Sequence, residues 1–332
     1  MGQNIIPLWR SQALTCARPN IDHVNIPIFS SARQSLSEAV RLLGLGRAAR
    51  VAIPEWSSQC VINAVAAYAM PIPLTDVLKN DIPVDAVLVY EQWGWKYNAS
   101  IYDEVRSRFS DSKLIFDCVD SADLIARDWL NPQSSSEDVA VILSLSKVLG
   151  LKGGGVLRIG NEFIVPKASS PEERLLSEML LNDSPSTAID REVILAKVDH
   201  LLKSHISEQQ PSLTEWLENN DLILALETER SERAARVSII RNSGLANSWP
   251  AWMLNGADSG GAGICPLELR ACWTQDYIGE LSERFKLELK VLNFNWLGNP
   301  LKPDYKQVLA LPCHGQVAKS VLIELTSELC EA

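Results

Sequence analysis

The feature that most constrains this chain is an alternation, between residues 31 and 160, of short apolar runs with helix-like stretches. The apolar runs are Val51–Ile53, Ala86–Tyr90, Leu114–Phe116, Val139–Leu145 and Val156–Ile159. They lack the polar–apolar alternation of a sheet with one wet face. Each fits a strand covered on both sides, as strands of a parallel sheet are. Ser35–Leu43 places Leu36, Ala39, Val40 and Leu43 on one helical face, and Val61–Tyr68 and Ile101–Phe109 repeat the pattern more weakly. Strands alternating with helices predict an α/β domain with a mostly parallel central sheet, flanking helices and right-handed crossovers. Ligands of such sheets bind beyond the carboxyl ends of the strands.

At 332 residues the chain exceeds the usual size of one hydrophobic core, so two domains are expected. Residues 171–241 read as helical and charged, with Ala188–Ser204 and Leu222–Arg241 the clearest stretches. Within the second, Glu227, Glu229, Arg230, Glu232, Arg233 and Arg236 read as a solvated helix face. Pro250 and the glycine-rich Asn255–Gly263 mark a loop region, with Gly260–Gly263 expected to be flexible. The boundary falls near residue 240, giving a large domain over 1–240 and a small α/β domain over 241–332. In the latter, Thr274–Phe285 reads as a helix, Leu287–Phe294 as a strand and Gly315–Leu329 as a closing helix.

The formal net charge of -10 argues against a nucleic-acid partner, which normally meets a basic surface. It leaves room for a local basic pocket that takes a phosphorylated small molecule. The seven cysteines show no CxxC pair and no metal-like clustering with the four histidines, so they read as reduced cytosolic thiols and no metal is expected. No apolar run approaches the ~20 residues of a membrane helix, and the first residues lack the apolar core of a signal peptide. A cytoplasmic protein with no membrane partner is expected.

Two segments carry chemistry. Leu114–Asp120 is an apolar strand that ends in the carboxylate of Asp117. Leu143–Gly155 is an apolar strand that ends in a serine-flanked lysine, Lys147, followed by a leucine-rich turn and three glycines. Adjacent strands would deliver both groups to one sheet edge. The pair suits pyridoxal phosphate (PLP). An amine is needed to bind the cofactor aldehyde as a Schiff base, and a desolvated lysine supplies it. A buried carboxylate holds the proton on the pyridine nitrogen. Once released, the lysine can move a proton between carbons. Lys152 is the competing amine, placed within the turn itself.

At these residues the chain resembles the DegT/DnrJ/EryC1/StrS family of fold-type-I, PLP-dependent sugar aminotransferases, as a divergent member. Phe29–Leu36 resembles the family's phosphate-binding turn and first helix, Val51–Ser58 its strand–Pro–aromatic segment, and Ile72–Val77 its next strand. Leu309–His314 resembles the segment before its last helix. The resemblance implies that Lys147 is the Schiff-base lysine and Asp117 the pyridinium partner. It implies a phosphate turn at Ala32 and Arg33, Ser144 as a further phosphate ligand, and Trp56 as a residue that covers the ring or packs in the core. Ala32-Arg33 stands where the family usually has Gly-Thr. Asp120 stands where it usually has Gln, and reads either as a contact to the ring oxygen or as a helix cap. Tyr90–Trp95 is another candidate wall, Asn219 and Asn220 are remote candidates for a neighbouring subunit's phosphate, and His314 reads as structural. The implied protein is a cytoplasmic homodimer that moves an amino group from glutamate or glutamine to a nucleotide-linked keto-sugar, for surface polysaccharide or a glycosylated metabolite. Two other readings stay open: the same cofactor with another reaction, such as an elimination, and a non-catalytic binding or regulatory homologue.

Overall fold

The computed structural model describes residues 5–16, 26–123, 137–151, 153–166 and 213–332. The expected helix Ala188–Ser204 and the competing Lys152 lie outside them. The central sheet has seven strands: β1 (Arg50–Ile53), β2 (Met70–Pro73), β3 (Ala86–Tyr90), β4 (Lys113–Asp117), β5 (Val139–Ser144), β6 (Gly155–Ile159) and β7 (Glu162–Phe163). Their order is β2-β1-β3-β4-β5-β6-β7. β1 to β5 run parallel, and β6 and β7 are antiparallel additions at one edge. This is the mixed α/β architecture expected from the alternation.

The apolar runs lack polar positions because both faces of the sheet are buried. Along β3, Ala86 and Leu88 enter one core cluster, whereas Val87 and Val89 enter the other. Along β4, Ile115 joins the first, and Leu114 and Phe116 the second. α1 (Ala32–Leu42) covers the first cluster with Leu36, Ala39 and Val40. Its start is set by Ser31, whose hydroxyl accepts a hydrogen bond from the Gln34 N–H at 3.2 Å. α2 (Gln59–Ala66), α3 (Leu74–Asn80) and α4 (Ala99–Arg108) complete the crossovers. The Ile72–Val77 segment is not one strand. β2 stops at Pro73, which stands at the N-cap of α3. Proline's fixed φ suits a helix start and its missing N–H ends the ladder.

After α5 (Leu145–Leu149) and α6 (Leu213–Asn219), the 21-residue α7 spans Leu222–Asn242, capped by Asp221, which accepts from the Leu224 N–H at 2.9 Å. A three-stranded antiparallel sheet follows: β8 (Ile264–Glu268), β9 (Lys290–Asn295) and β10 (Tyr305–Pro312), in the order β8-β10-β9. α8 (Ala251–Gly256), α9 (Gln275–Phe285) and the closing α10 (Lys319–Glu331) accompany it. The closing helix thus begins four residues later than the pattern suggested. The β9 ladder begins at Lys290; Leu287 instead forms an isolated bridge to Ile6.

Two expectations are corrected here. The charged run of α7 is not one solvated face: Glu229, Arg233 and Arg236 are buried, while Glu227 is exposed and Arg230 and Glu232 are half-buried. Glu229 accepts from Arg10 at 2.8 Å and from Arg233 at 2.9 Å, and Arg236 donates to the carbonyls of Val317 and Gly315. A charge pattern cannot distinguish a helix that meets water from one whose charges neutralise one another inside. Gly260–Gly263 is likewise not an open loop. All four residues are buried, Gly261 lies against the Gly94 backbone, and the Gly261 carbonyl accepts from Arg233 at 2.8 Å. The glycines are needed for that close backbone approach. Among the described residues no helix is long and apolar enough to cross a membrane.

Candidate active site

The carboxyl ends of β3, β4 and β5 meet at one edge, and parallel pairing sets what each presents there. Tyr90 pairs with Asp117, and Asp117 with Ile142, so Tyr90, Asp117 and the end of β5 stand side by side. β5 runs directly into α5, whose third residue is Lys147. The helix ends at Gly150, with φ 69. A β-carbon at Gly150 would press on the Gln12 backbone, so the turn after Lys147 is held close to the N-terminal segment.

Lys147 pairs with Asp120 at 2.9 Å. The lysine side chain is 38% exposed and the aspartate 2%. Asp120 also accepts from Trp9 Nε1 at 3.0 Å and from the Tyr90 hydroxyl. It caps no helix within the described residues: Ser121–Ala122–Asp123 are irregular. Burial alone would raise the Asp120 carboxyl, but Lys147, Tyr90 and Trp9 outweigh it and hold the group below the usual carboxylate range. Desolvation would lower Lys147, but the charge of Asp120, its hydrogen bond and the more distant Asp117 raise it. Asp117 is different. Burial pushes its carboxyl up to about 6, Lys147 opposes that rise, and Asp120 adds to it. Among the described residues its carboxylate receives one hydrogen bond, from the Val119 N–H at 3.3 Å.

Beside Lys147 lies a recess lined by Trp9, Arg10, Trp93, Asp120, Arg233 and His314. Trp93 is held at φ 59, a left-handed backbone that strains a bulky residue, and its carbonyl accepts from the Gly263 N–H at 3.0 Å. Arg233 reaches the Asp120 carbonyl at 2.6 Å, so α7 braces the aspartate's backbone while its side chain meets the lysine. His314 donates through Nε2–H to the Pro7 carbonyl at 2.9 Å, its Nδ1 has no hydrogen-bond partner among the described residues, and burial lowers its pKa to about 4. The N-terminal segment forms one wall. Leu8 N–H donates to Glu288, Trp9 to Asp120, Arg10 to Glu229, and Leu14 N–H to the Leu149 carbonyl.

The other expected residues lie as follows. Ala32 and Arg33 open α1 and are half-buried. The turn before them is pinned to the glycine run after Lys147: Gly154 N–H donates to the Ser30 carbonyl at 2.8 Å, and Phe29 and Gly155 exchange hydrogen bonds at 2.8 and 3.0 Å. A β-carbon on Gly153 would lie 2.5 Å from the Ser30 carbonyl, and one on Gly155 would strike the Ser31 carbonyl. The three glycines therefore join the α1 turn to the lysine loop. Ser144 ends β5, is buried, and shares a hydrogen bond with Ser146 at 3.0 Å. Trp56 is 57% exposed and makes an edge contact with Tyr305, 6.2 Å between centroids, so it is not packed in the core. Asn220 is tied to Cys16 N–H and the Trp216 carbonyl, which gives it a local structural role; Asn219 ends α6. Trp9, Arg10 and Arg233 escaped sequence reasoning. Only the buried charges of α7 carried any signal, and they looked like surface.

The donor set fits pyridoxal phosphate. It offers one amine at the mouth of the site, a buried carboxylate with spare acceptor capacity at the neighbouring strand end, and a helix N-terminus joined to the lysine loop through glycines.

A family model described as "Putative PLP-dependent aminotransferase" matches residues 16–165, a little under half of the chain. No curated protein matches it. Among solved structures, DesV of S. venezuelae in complex with a ketimine intermediate is 16% identical, with a TM-score of 0.51, 94% of this chain and 86% of that one covered. NtdA of Bacillus subtilis with bound cofactor PMP is 15% identical, with a TM-score of 0.54, covering 93% and 74%. An aromatic aminotransferase from Pyrococcus horikoshii OT3 is 14% identical, with a TM-score of 0.50, covering 98% and 96%. The fold is that of the fold-type-I aminotransferases, and the family matched by the N-terminal half is one of PLP-dependent aminotransferases.

Proposed function

We propose that this protein is a PLP-dependent aminotransferase in which Lys147 holds the cofactor and Asp117 receives its pyridinium N–H. The observation that carries the reading is the delivery of these two groups to one sheet edge by the adjacent parallel strands β4 and β5. When bound, the cofactor supplies an electron sink. The chain's own groups do the rest. Lys147 Nζ attaches the cofactor and afterwards carries a proton. Asp117, whose carboxylate receives one hydrogen bond among the described residues, accepts a hydrogen bond from the ring N–H and so keeps the proton on that nitrogen. Ala32, Arg33 and Ser144 meet the phosphate. Trp93 and Trp9 wall off water.

We further propose, from the resemblance to the DegT/DnrJ/EryC1/StrS family, a nucleotide-linked keto-sugar as acceptor and glutamate or glutamine as donor. The working form is a cytoplasmic homodimer, with residues 1–240 carrying the cofactor and 241–332 forming the smaller unit. The test is borohydride reduction of the cofactor-loaded protein followed by peptide mass mapping. A pyridoxyl adduct on Lys147 is expected, and glutamate should bleach the visible band before reduction. An adduct on Lys152, or no adduct, refutes the assignment of Lys147.

A further inference from the structure

The described residues place an anion against Lys147 with unusual completeness. One Asp120 oxygen takes Lys147 Nζ at 2.9 Å and Trp9 Nε1 at 3.0 Å, and the other takes the Tyr90 hydroxyl. These donors come from three separate segments, the N-terminal strap, β3 and α5, and converge on the turn after β4 that carries Asp120. The Asp120 backbone is pinned as well, through Arg233 on its carbonyl at 2.6 Å. The carboxylate is 2% exposed and cannot swing to solvent without giving up all three side-chain partners. A fixed, fully hydrogen-bonded carboxylate is the arrangement that keeps a neighbouring nitrogen protonated.

Resting on the proposed role of Lys147, we infer that Asp120 is a fixed counter-ion that keeps the proton on the Lys147 nitrogen after that nitrogen has bonded to the cofactor. Asp120 is thus a positioning residue for a charge, not a cap or a hydrogen-bonding spacer. The other charged and titratable groups around the pair do not replace it. Asp117 acts on Lys147 from beyond ion-pair distance and is committed to the ring nitrogen. The Cys60 thiol reaches Lys147 from α2 only through its charge when ionised. Tyr90 already donates to Asp120. Arg10 and Arg233 are turned to Glu229, and His314 to Pro7. Removing the charge of Asp120 therefore removes the one anion that, among the described residues, is in contact with the nitrogen.

The consequence is spectroscopic. The protonated and neutral forms of the Lys147–cofactor linkage absorb at different wavelengths, so an absorbance titration reads the proton directly, without turnover. In the wild-type holoprotein the protonated band should persist to alkaline pH. In Asp120→Asn, which keeps the shape and removes the charge, the midpoint should fall by about one to three pH units, the usual effect of an opposite charge within a few ångströms. Tyr90→Phe keeps the charge and removes one of its donors, so its midpoint should hold or rise. A D120N midpoint at the wild-type value overturns the inference, as does a Y90F midpoint that falls as far as that of D120N. Should D120N not fold, Y90F decides: a held or raised midpoint supports the counter-ion, and a lowered one overturns it. Borohydride mapping on the same samples separates the two levels. No adduct on Lys147 removes the proposed function itself, whereas an adduct there with an unmoved D120N midpoint removes only the role of Asp120.

Discussion

Glu229→Ala should unfold this protein far more readily than a charge removal on a helix surface would. Glu229 is fully buried and lies between Arg10 at 2.8 Å and Arg233 at 2.9 Å, and it accepts from the Gly315 N–H at 3.2 Å. The two guanidiniums that face it have side chains only 9% and 2% exposed. Truncation leaves both charges buried with their shared anion gone. Breaking a buried ion pair by removing one partner costs about 3–5 kcal/mol. Glu227 lies on the same helix two residues earlier but is exposed. Its replacement by alanine should stay within about 0.5 kcal/mol. Urea unfolding followed by tryptophan fluorescence reads both, and the ten tryptophans give ample signal. The expected result is a large fall in midpoint for Glu229→Ala at an unchanged slope, with Glu227→Ala close to wild type. A loss under about 1 kcal/mol for Glu229→Ala, the value of an exposed pair, would refute the claim that this network is sealed from water.

Lys147→Ala should abolish the borohydride adduct and lower transamination by about 10²–10⁴-fold, the usual share of a positioned acid–base group; single-turnover absorbance with glutamate measures it, and a rate within tenfold of wild type would reject the assignment. Asp117, raised from its ordinary 3.8 to about 6, should give cofactor affinity a step near pH 6. Below that pH the carboxyl is protonated and offers the ring nitrogen no charge, so the Kd for pyridoxal phosphate rises as pH falls, and Asp117→Asn should erase the step. The apoprotein's stability should respond in the opposite sense. Its folded chain keeps a proton that the unfolded chain releases between about 4 and 6, so this group's contribution declines as pH rises through that window. Gly155→Ala would drive a methyl into the Ser31 carbonyl, costing about 1–3 kcal/mol by overpacking. Because the displaced backbone is the turn before Ala32, cofactor affinity should fall as well, and a thermal melt with and without pyridoxal phosphate reads both effects.

How much of the site was legible follows from which interactions are local. Lys147 and Asp117 stood out because each terminates an apolar run, and the end of a parallel strand is where such a sheet exposes a side chain. The glycine run Gly153–Gly155 was visible too, but its reason was not: it makes room for Ser30 and Ser31, residues more than a hundred positions earlier. Asp120 was read with two possible roles, because nothing nearby in the chain says that Trp9, Tyr90 and Lys147 would converge on it. Trp56 looked like a wall or a core residue, yet its neighbour is Tyr305, on a strand of the other sheet.

The apolar runs between residues 50 and 145 by themselves pointed to parallel strands buried on both faces, because such strands leave no wet side for polar residues to occupy, whereas the similar run Val156–Ile159 gave no sign that it would pair antiparallel as β6. Side-chain periodicity is a property of one element, and it is readable from that element alone. The burial of α7's charges, the packing of Gly260–Gly263 and the assignment of Asp120 to Lys147 were decided only by tertiary structure. Each depends on the desolvation of a charge or backbone group by segments remote in sequence, and that cost and its compensation exist only once those segments are in contact.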